Sequence, residues 1–416
     1  MNASRLMRIL TGMTAGVLLF AAGCGNGSET SSTPEESSKD PKLDHNWTTV
    51  KPTRTAEESA KLINNEATAG KLSIASDVAS IYVPVEGASY AHHPFLASFK
   101  GKLYAMFSLG RQDEDDCGQH VMISSCSDFQ NWSTPKPLAD VTRGEHSEQV
   151  MVPMGFYVWE DTLVAYYRSF EYDAASLREN GTKRPLADTQ YSIENNKLHA
   201  LVTTDGETWT KADSYANAGG GNYPPVATKS GRLIMTGAMT QAYSDNLSGI
   251  GRWSLSIVPK GSAYERGAKL LTESSFYQTD DGILHLMLRT NTDYLWCAES
   301  YDDGITWTEP YPTAFTDCWS KFQFGRLPDG RFFYIGNPVP DSSRNPMVLC
   351  VSDNGTDFNK WFLLRTEAYR LQFPGLYKGG IYAYPHAVID GDYMYIIYSK
   401  HKEAIDVMRI ALKDIV

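Results

Sequence analysis

The sequence lacks an apolar run of membrane-spanning length. Its N-terminal stretch from Ile9 to Ala22 has 14 residues, short of the roughly 20 that a spanning helix needs. It is poor in positive charge, with 38 Lys and Arg against 49 Asp and Glu and a net charge of -11. That balance excludes a nucleic-acid partner, which requires a basic face, and means that any anion site must be built locally from arginines. No CxxC and no Cys/His pair at metal spacing occurs among the 6 cysteines, so neither a disulfide framework nor a metal or organic cofactor is expected. Cys117, Cys126, Cys297, Cys318 and Cys350 read as small buried hydrophobes. Long helical periodicity is also missing. What is plentiful is 24 Tyr, 16 Phe, 9 Trp, 33 Gly and 20 Pro, the composition of many short strands joined by tight turns.

Arg5 and Arg8 precede the apolar stretch, and Phe20-Ala21-Ala22-Gly23 puts small residues directly before Cys24. This pattern is a signal peptide, and its small-small-Cys ending resembles the bacterial lipobox, in which the cysteine is acylated; an ordinary secretory signal is the alternative. Gly25 to Asp44 is polar and without apolar period, as expected of a tether. Thr55 and Glu58 form a capping-box pattern that predicts a short helix to about Ala69. The expected organisation is a signal peptide over 1–23, acylated Cys24 and tether over 24–54, a helix over 55–70 and one domain over 71–416. The expected location is outside the cytoplasm, anchored to a bacterial membrane through Cys24, and the expected state is monomeric.

From His93 onward the chain repeats a unit of apolar strand, Gly or Asp turn, second strand, third strand and a polar turn ending in an aromatic residue. Six units of roughly 57 residues each are the mark of a six-bladed β-propeller, an all-β fold. The third unit reads as Tyr223 to Thr228, Arg232 to Gly237 and Trp253 to Val258. Lys71 to Val85 is expected to supply the strand that closes the ring. Ser300-Tyr301-Asp302-Asp303-Gly304-Ile305-Thr306-Trp307 fits S-x-D-x-G-x-T-W without mismatch, and weaker copies run Asp128 to Trp132, Asp205 to Trp209 and Asp353 to Phe358. In such an Asp-box the carboxylate caps backbone N–H groups of a turn and the aromatic packs beneath it.

With these boxes the chain resembles the sialidase (neuraminidase) superfamily of BNR-repeat propellers over about residues 70–416. The resemblance extends to Arg111 with Asp115 and Asp116 behind the first hairpin, to Glu273 heading a strand whose partner ends in Arg289, to Arg344 before Met347-Val-Leu, and to Tyr384 in the last blade. The first of the family's three arginines is replaced by His92. The resemblance implies a retaining exo-glycosidase for a terminal acidic sugar. In it Tyr384 is the nucleophile, Glu273 its base within about 2.6–3.2 Å, and Asp116 the acid, with Asp115 as rival. Arg289 and Arg344 would hold the sugar carboxylate, and His92 would contribute a charged hydrogen bond only when protonated.

Propeller geometry gives an independent list, because the inner strands of all blades end at one mouth. It contains His92, His93, Glu148, Gln149, Asn222, Tyr223, Glu273, Lys321, Tyr384 and His386, with Arg111, Arg168 and Arg289 at the ends of second strands. The expected partner is an acidic glycan or oligosaccharide. A uronate-directed hydrolase, a lyase working through His92 or His93 with Tyr384, and a non-catalytic glycan-binding lipoprotein are the competing readings.

Overall fold

Apolar strands separated by tight turns pair antiparallel, and the chain does so in six successive four-stranded blades. A computed structural model describes residues 50–416 except 69, 180, 185–191, 213–214 and 217–220; the expected signal peptide, Cys24 and most of the expected tether lie outside the described residues. Blade one is Tyr90–Phe99, Lys102–Gly110, His120–Cys126 and Lys136–Ala139; blade two is Val150–Trp159, Thr162–Tyr172, Ile193–Thr203 and Thr210–Lys211. Blade three is Val226–Ala227, Leu233–Met235, Thr240–Ser244 and Ser254–Ile257; blade four is Leu271–Gln278, Leu284–Thr290, Tyr294–Ser300 and Tyr311–Thr316. Blade five is Gln323–Arg326, Phe332–Gly336, Met347–Ser352 and Lys360–Arg365. Blade six is Tyr382–Asp390, Tyr393–Lys400 and Ala404–Ala411, completed by Asp77–Tyr82. In blade three the expected three-strand reading misses Thr240–Ser244, whose polar sequence carries no apolar signal.

Around the axis the first strand of blade one touches those of blades six and two, and the first strand of blade five touches those of blades four and six. Packing between blades is apolar: one cluster joins Leu96 and Phe107 of blade one to Ile397 and Val407 of blade six, another joins Tyr277 and Phe315 of blade four to Phe324 and Tyr334 of blade five. Burying such large side chains on both faces of every sheet supplies most of the stabilisation, at roughly 1.5–3 kcal/mol per side chain before entropy is subtracted. All five described cysteines are buried and free.

The segment before blade one divides its duties. Thr55 caps the helix Ala56–Leu62 with the expected capping box. The helix ends seven residues earlier than expected because Ile63 turns extended and is buried in the cluster between blades four and five, while Asn64 bridges Ala314 and Asp357. Lys71–Ser73 then adds a parallel fifth strand to blade five, so only Asp77–Tyr82 of the expected closing segment pairs with the last strand of blade six.

The Asp-boxes act as turns. Asp302 Oδ1 accepts from Thr306 N at 2.8 Å and from Ser300 Oγ at 2.9 Å. Trp307 Nε1 donates to Ser256 Oγ of blade three at 3.0 Å, so this box also ties blade four to blade three. Gly304 has φ +84, and a Cβ there would lie 2.5 Å from Ile234, so both conformation and space require glycine. In the fourth copy the capping residue is Asn354 and not Asp353: Asn354 Oδ1 accepts from Thr356 N and Asp357 N, both at 2.9 Å. An amide oxygen replaces the carboxylate, and buried Phe358 replaces the tryptophan.

Candidate active site

Three inner strands share one irregularity. The pairing register slips between His92 and Phe95 in blade one, Thr272 and Ser275 in blade four, and Ala383 and His386 in blade six. Each slip contains a non-glycine residue in the left-handed region: His93 (φ 51), Glu273 (φ 38) and Tyr384 (φ 56). The following residue cannot serve its own ladder. Pro94 and Pro385 have no N–H, and Ser274 gives its N–H to Gly237 of blade three. Such conformations cost about 1–3 kcal/mol each and collect where side chains must be re-aimed. Here the re-aimed residues are three of the candidates from the sequence.

Arg289 Nη1 donates to both Glu273 Oε2 and the Tyr384 hydroxyl, the latter at 3.2 Å. The direct Glu273–Tyr384 hydrogen bond expected from the sequence gives way to this bridge, because a charge-assisted bond to the guanidinium outcompetes one to a neutral phenol. Arg344 Cζ lies 5.6 Å from the centre of the Tyr384 ring, and Nη2 donates to Trp319 O at 3.3 Å. Arg289 Nε and Arg344 Nη1 are buried and have no hydrogen-bond partner, an arrangement that native interiors avoid unless a ligand completes it. Burial raises the Tyr384 phenol above the usual range, Glu114 adds to the rise, and Arg289 and Arg344 pull it back. Behind them, burial pushes the Asp317 carboxyl up to about 7, against Arg289 and the backbone N–H groups that hold its charged form.

On the other side of Tyr384 stand two histidines. The ring centres of His92 and Tyr384 are 4.1 Å apart, and those of His92 and His93 are 4.6 Å apart. Neighbours in a regular strand face opposite ways; the bulge at His93 brings both rings to one side. His92 is 0 % exposed, and burial, then His93 and Lys402, hold its imidazole well below the usual range. The expected charged clamp is therefore corrected: a desolvated imidazole is neutral at pH 7. Glu114 reaches this pair, with Oε1 3.4 Å from His93 Nε2 and 4.0 Å from His92 Nε2, and Oε2 2.5 Å from Lys402 Nζ. Burial raises the Glu114 carboxyl, but Lys402 and His93 outweigh it and leave it well below the usual range.

Glu114 and Lys402 escaped the sequence reading. The first hides in an acidic run whose aspartates matched the family spacing; the second follows the last hairpin without any motif. Asp116 faces elsewhere, with Oδ1 3.9 Å from Lys183 Nζ, and burial raises its carboxyl. With Arg111, Asp113 and Tyr377 it lines a cavity of about 630 Å³. Asp115 accepts from Tyr172 through its backbone carbonyl, and its Oδ1 is buried without a partner. Arg111 pairs with Glu148 at 2.7 Å and is mostly exposed, so it is a rim residue. Arg168 lies over Phe170. His386 accepts from Leu96 N at 3.2 Å among Phe95, Tyr223 and Lys321, and burial with Lys321 pushes it down to about 3. The structure thus gathers His92, His93, Glu273, Arg289, Arg344 and Tyr384, and leaves Arg111, Asp116, Arg168 and His386 around that group.

The BNR repeat-like domain family matches residues 101–396. No curated protein matches the sequence. Among solved structures, a protein of unknown function from Dyadobacter fermentans is similar over 80% of this chain and 98% of that one, with 16% identity and a TM-score of 0.58. The intramolecular trans-sialidase of Ruminococcus gnavus is similar over 80% and 97%, with 14% identity and TM-score 0.55. The NanB sialidase of Streptococcus pneumoniae is similar over 81% and 71%, with 14% identity and TM-score 0.53. At these identities the likeness is one of fold.

Proposed function

This chain belongs to the BNR repeat-like domain family, and from that membership we propose that it is a sialidase-like exo-glycoside hydrolase removing a terminal acidic sugar from extracellular glycans. The observation that carries the reading is the pair of buried, unpartnered guanidinium N–H groups, Arg289 Nε and Arg344 Nη1, in two arginines that flank the Tyr384 side chain. Two permanent cations with spare donors suit a planar carboxylate.

A sugar carrying a carboxylate at its reactive carbon repels a carboxylate nucleophile, and a neutral tyrosine avoids that repulsion. An arriving substrate carboxylate competes with Glu273 for Arg289. A guanidinium drawn to the substrate leaves Glu273 free to take the phenol proton as Tyr384 Oη bonds to the anomeric carbon. The leaving oxygen must take a proton as its bond breaks; Asp116, whose carboxyl burial raises, would supply it only by turning from Lys183 toward Tyr384. Water, giving a proton to Asp116, then displaces the tyrosine oxygen, and Glu273 returns the proton to it. Arg111, Arg168 and His386 would shape the surroundings and do not enter the chemistry.

A second reading is favoured by one observation: His93 retains some exposure and its ring lies 5.4 Å from that of Tyr384. In a uronate lyase one of the pair would remove the proton beside the carboxylate and the other would protonate the leaving oxygen, giving an unsaturated product. The test is to incubate the purified protein with aryl sialosides and with uronate-containing glycans and to identify the products. Release of a free acidic sugar supports the hydrolase; an unsaturated product supports the lyase; binding without turnover supports a glycan-binding protein. We also propose attachment to a bacterial membrane by acylation of Cys24.

A further inference from the structure

A buried ring nitrogen with no partner needs an explanation, and His92 Nε2 is one. Ser399 Oγ lies 2.7 Å from His92 Nδ1 and donates to Ala383 O at 3.3 Å. With the hydroxyl proton on that carbonyl, Nδ1–H is the donor to Ser399 and Nε2 presents a bare lone pair. His93 is held through the same ring atom, Nδ1 against Ser108 Oγ at 3.2 Å. Both rings are thus fixed through Nδ1 by hydroxyls, with both Nε2 atoms turned to Glu114 Oε1. One ligand atom from each of His92, His93 and Glu114 can be chosen so that all three lie within 4.8 Å of one another.

We propose that His92, His93 and Glu114 bind one divalent transition-metal ion of the zinc class. Two imidazoles and one carboxylate are a common donor set for such ions, and fixing the far nitrogen of each ring is how ligating histidines are oriented. Ligand distances of roughly 2.0–2.2 Å require the three atoms to stand about 3–3.5 Å apart. The two separations from Glu114 Oε1, 3.4 and 4.0 Å, come within about half an ångström of this. Lys402 opposes the ion electrostatically, yet it holds Oε2 and so leaves Oε1 as a single ligand oxygen. The backbone of His93 is in the left-handed region, the cost of bringing two adjacent rings to one point. The site does not depend on the hydrolase reading. Its use does: if the substrate is an acidic sugar, the ion replaces the positive charge lost with the first arginine.

The full chain, stripped with chelator, is titrated with Zn²⁺ by calorimetry in two buffers and with Co²⁺ by visible absorption. The expected result is one ion per chain, a Co²⁺ spectrum of a nitrogen- and oxygen-ligated site, and at least tenfold weaker binding in His93→Gln and Glu114→Gln. His146→Gln, a surface histidine variant, should bind as wild type. Should His92→Gln fail to fold, the two partly exposed ligands carry the test. Absence of saturable binding, or binding indifferent to both variants, overturns the proposal. Metal binding without turnover of any acidic glycoside sinks the hydrolase reading and leaves the site standing. Turnover that survives complete removal of the ion overturns its use as a clamp.

Discussion

His93 and Tyr384 are counterparts in adjacent blades: each is the left-handed residue of an inner-strand bulge, each precedes a proline, and their rings meet at 5.4 Å. The strained backbone of two strands thus converges on one point, and the residues around it invite direct tests.

Tyr384→Phe removes only the hydroxyl that Arg289 holds. Turnover should fall at least about 10³-fold while glycan affinity stays near wild type. Single-turnover kinetics and equilibrium binding on the same preparation check this; a fall of under tenfold would exclude Tyr384 as nucleophile.

Arg289→Lys and Arg344→Lys each keep one charge and lose the planar fork. Losing one charged hydrogen bond to the substrate costs about 1.5–3 kcal/mol, so kcat/KM should drop roughly ten- to hundredfold in each. Neutral sugars assayed in parallel should show no such difference between wild type and variants.

Asp317 gives a pH test of stability. Its unfolded value is near 3.9, and burial lifts the folded one to about 7. Below pH 4 both states are protonated. Between about pH 4 and 7 the folded state keeps a proton that the unfolded state has lost, so stability declines as pH rises, by at most about 1.4 kcal/mol per unit, and levels off above. Urea unfolding at several pH values should show this slope in wild type and lose it in Asp317→Asn. Parallel profiles for the two proteins would remove Asp317 as the cause.

Ile81 sits in the closing strand, 6 % exposed and packed in the cluster that joins blades six and one. Ile81→Ala should cost about 2–5 kcal/mol. Leu72→Ala, partly buried in the strand that only extends blade five, should cost less. Chemical denaturation of both variants ranks them.

Metabolic labelling with a fatty-acid probe should mark the wild-type chain and spare Cys24→Ala. Equal labelling of both would show that Cys24 is not the acylated residue.

Much of the architecture was legible because its signals are local. Ser300 to Trp307 needs eight consecutive residues to make a turn, and alternating apolar runs announce strands such as Leu284–Thr290. Thr240–Ser244 was not legible, since a polar strand between two others of its own blade is specified by those neighbours. Neither was the pairing of Lys71–Ser73 with blade five, which depends on Trp361 and Phe362 nearly three hundred residues away. At the site, Tyr384, Glu273, Arg289 and Arg344 could be found from the family resemblance, and all but Arg344 also from their places at strand ends. That Arg289 stands between Glu273 and Tyr384, that Glu114 and not Asp116 reaches the histidines, and that His92 is buried and neutral are products of the bulges, and a bulge changes direction without changing composition.

The strand Asp77–Tyr82 pairs with Ala404–Ala411 near the other end of the chain, and Arg409 Nε donates to Asp77 across 332 positions. During synthesis, therefore, the ring stays open until the last hairpin has left the ribosome. Until then the apolar faces of blades one and six stand without each other. Contacts of such high sequence separation make folding slow and expose it to association between chains. Closure is the step on which chaperone capture and refolding yield should both depend, and variants of the seam should be seen first in the amount of protein recovered and only later in the chemistry at the mouth.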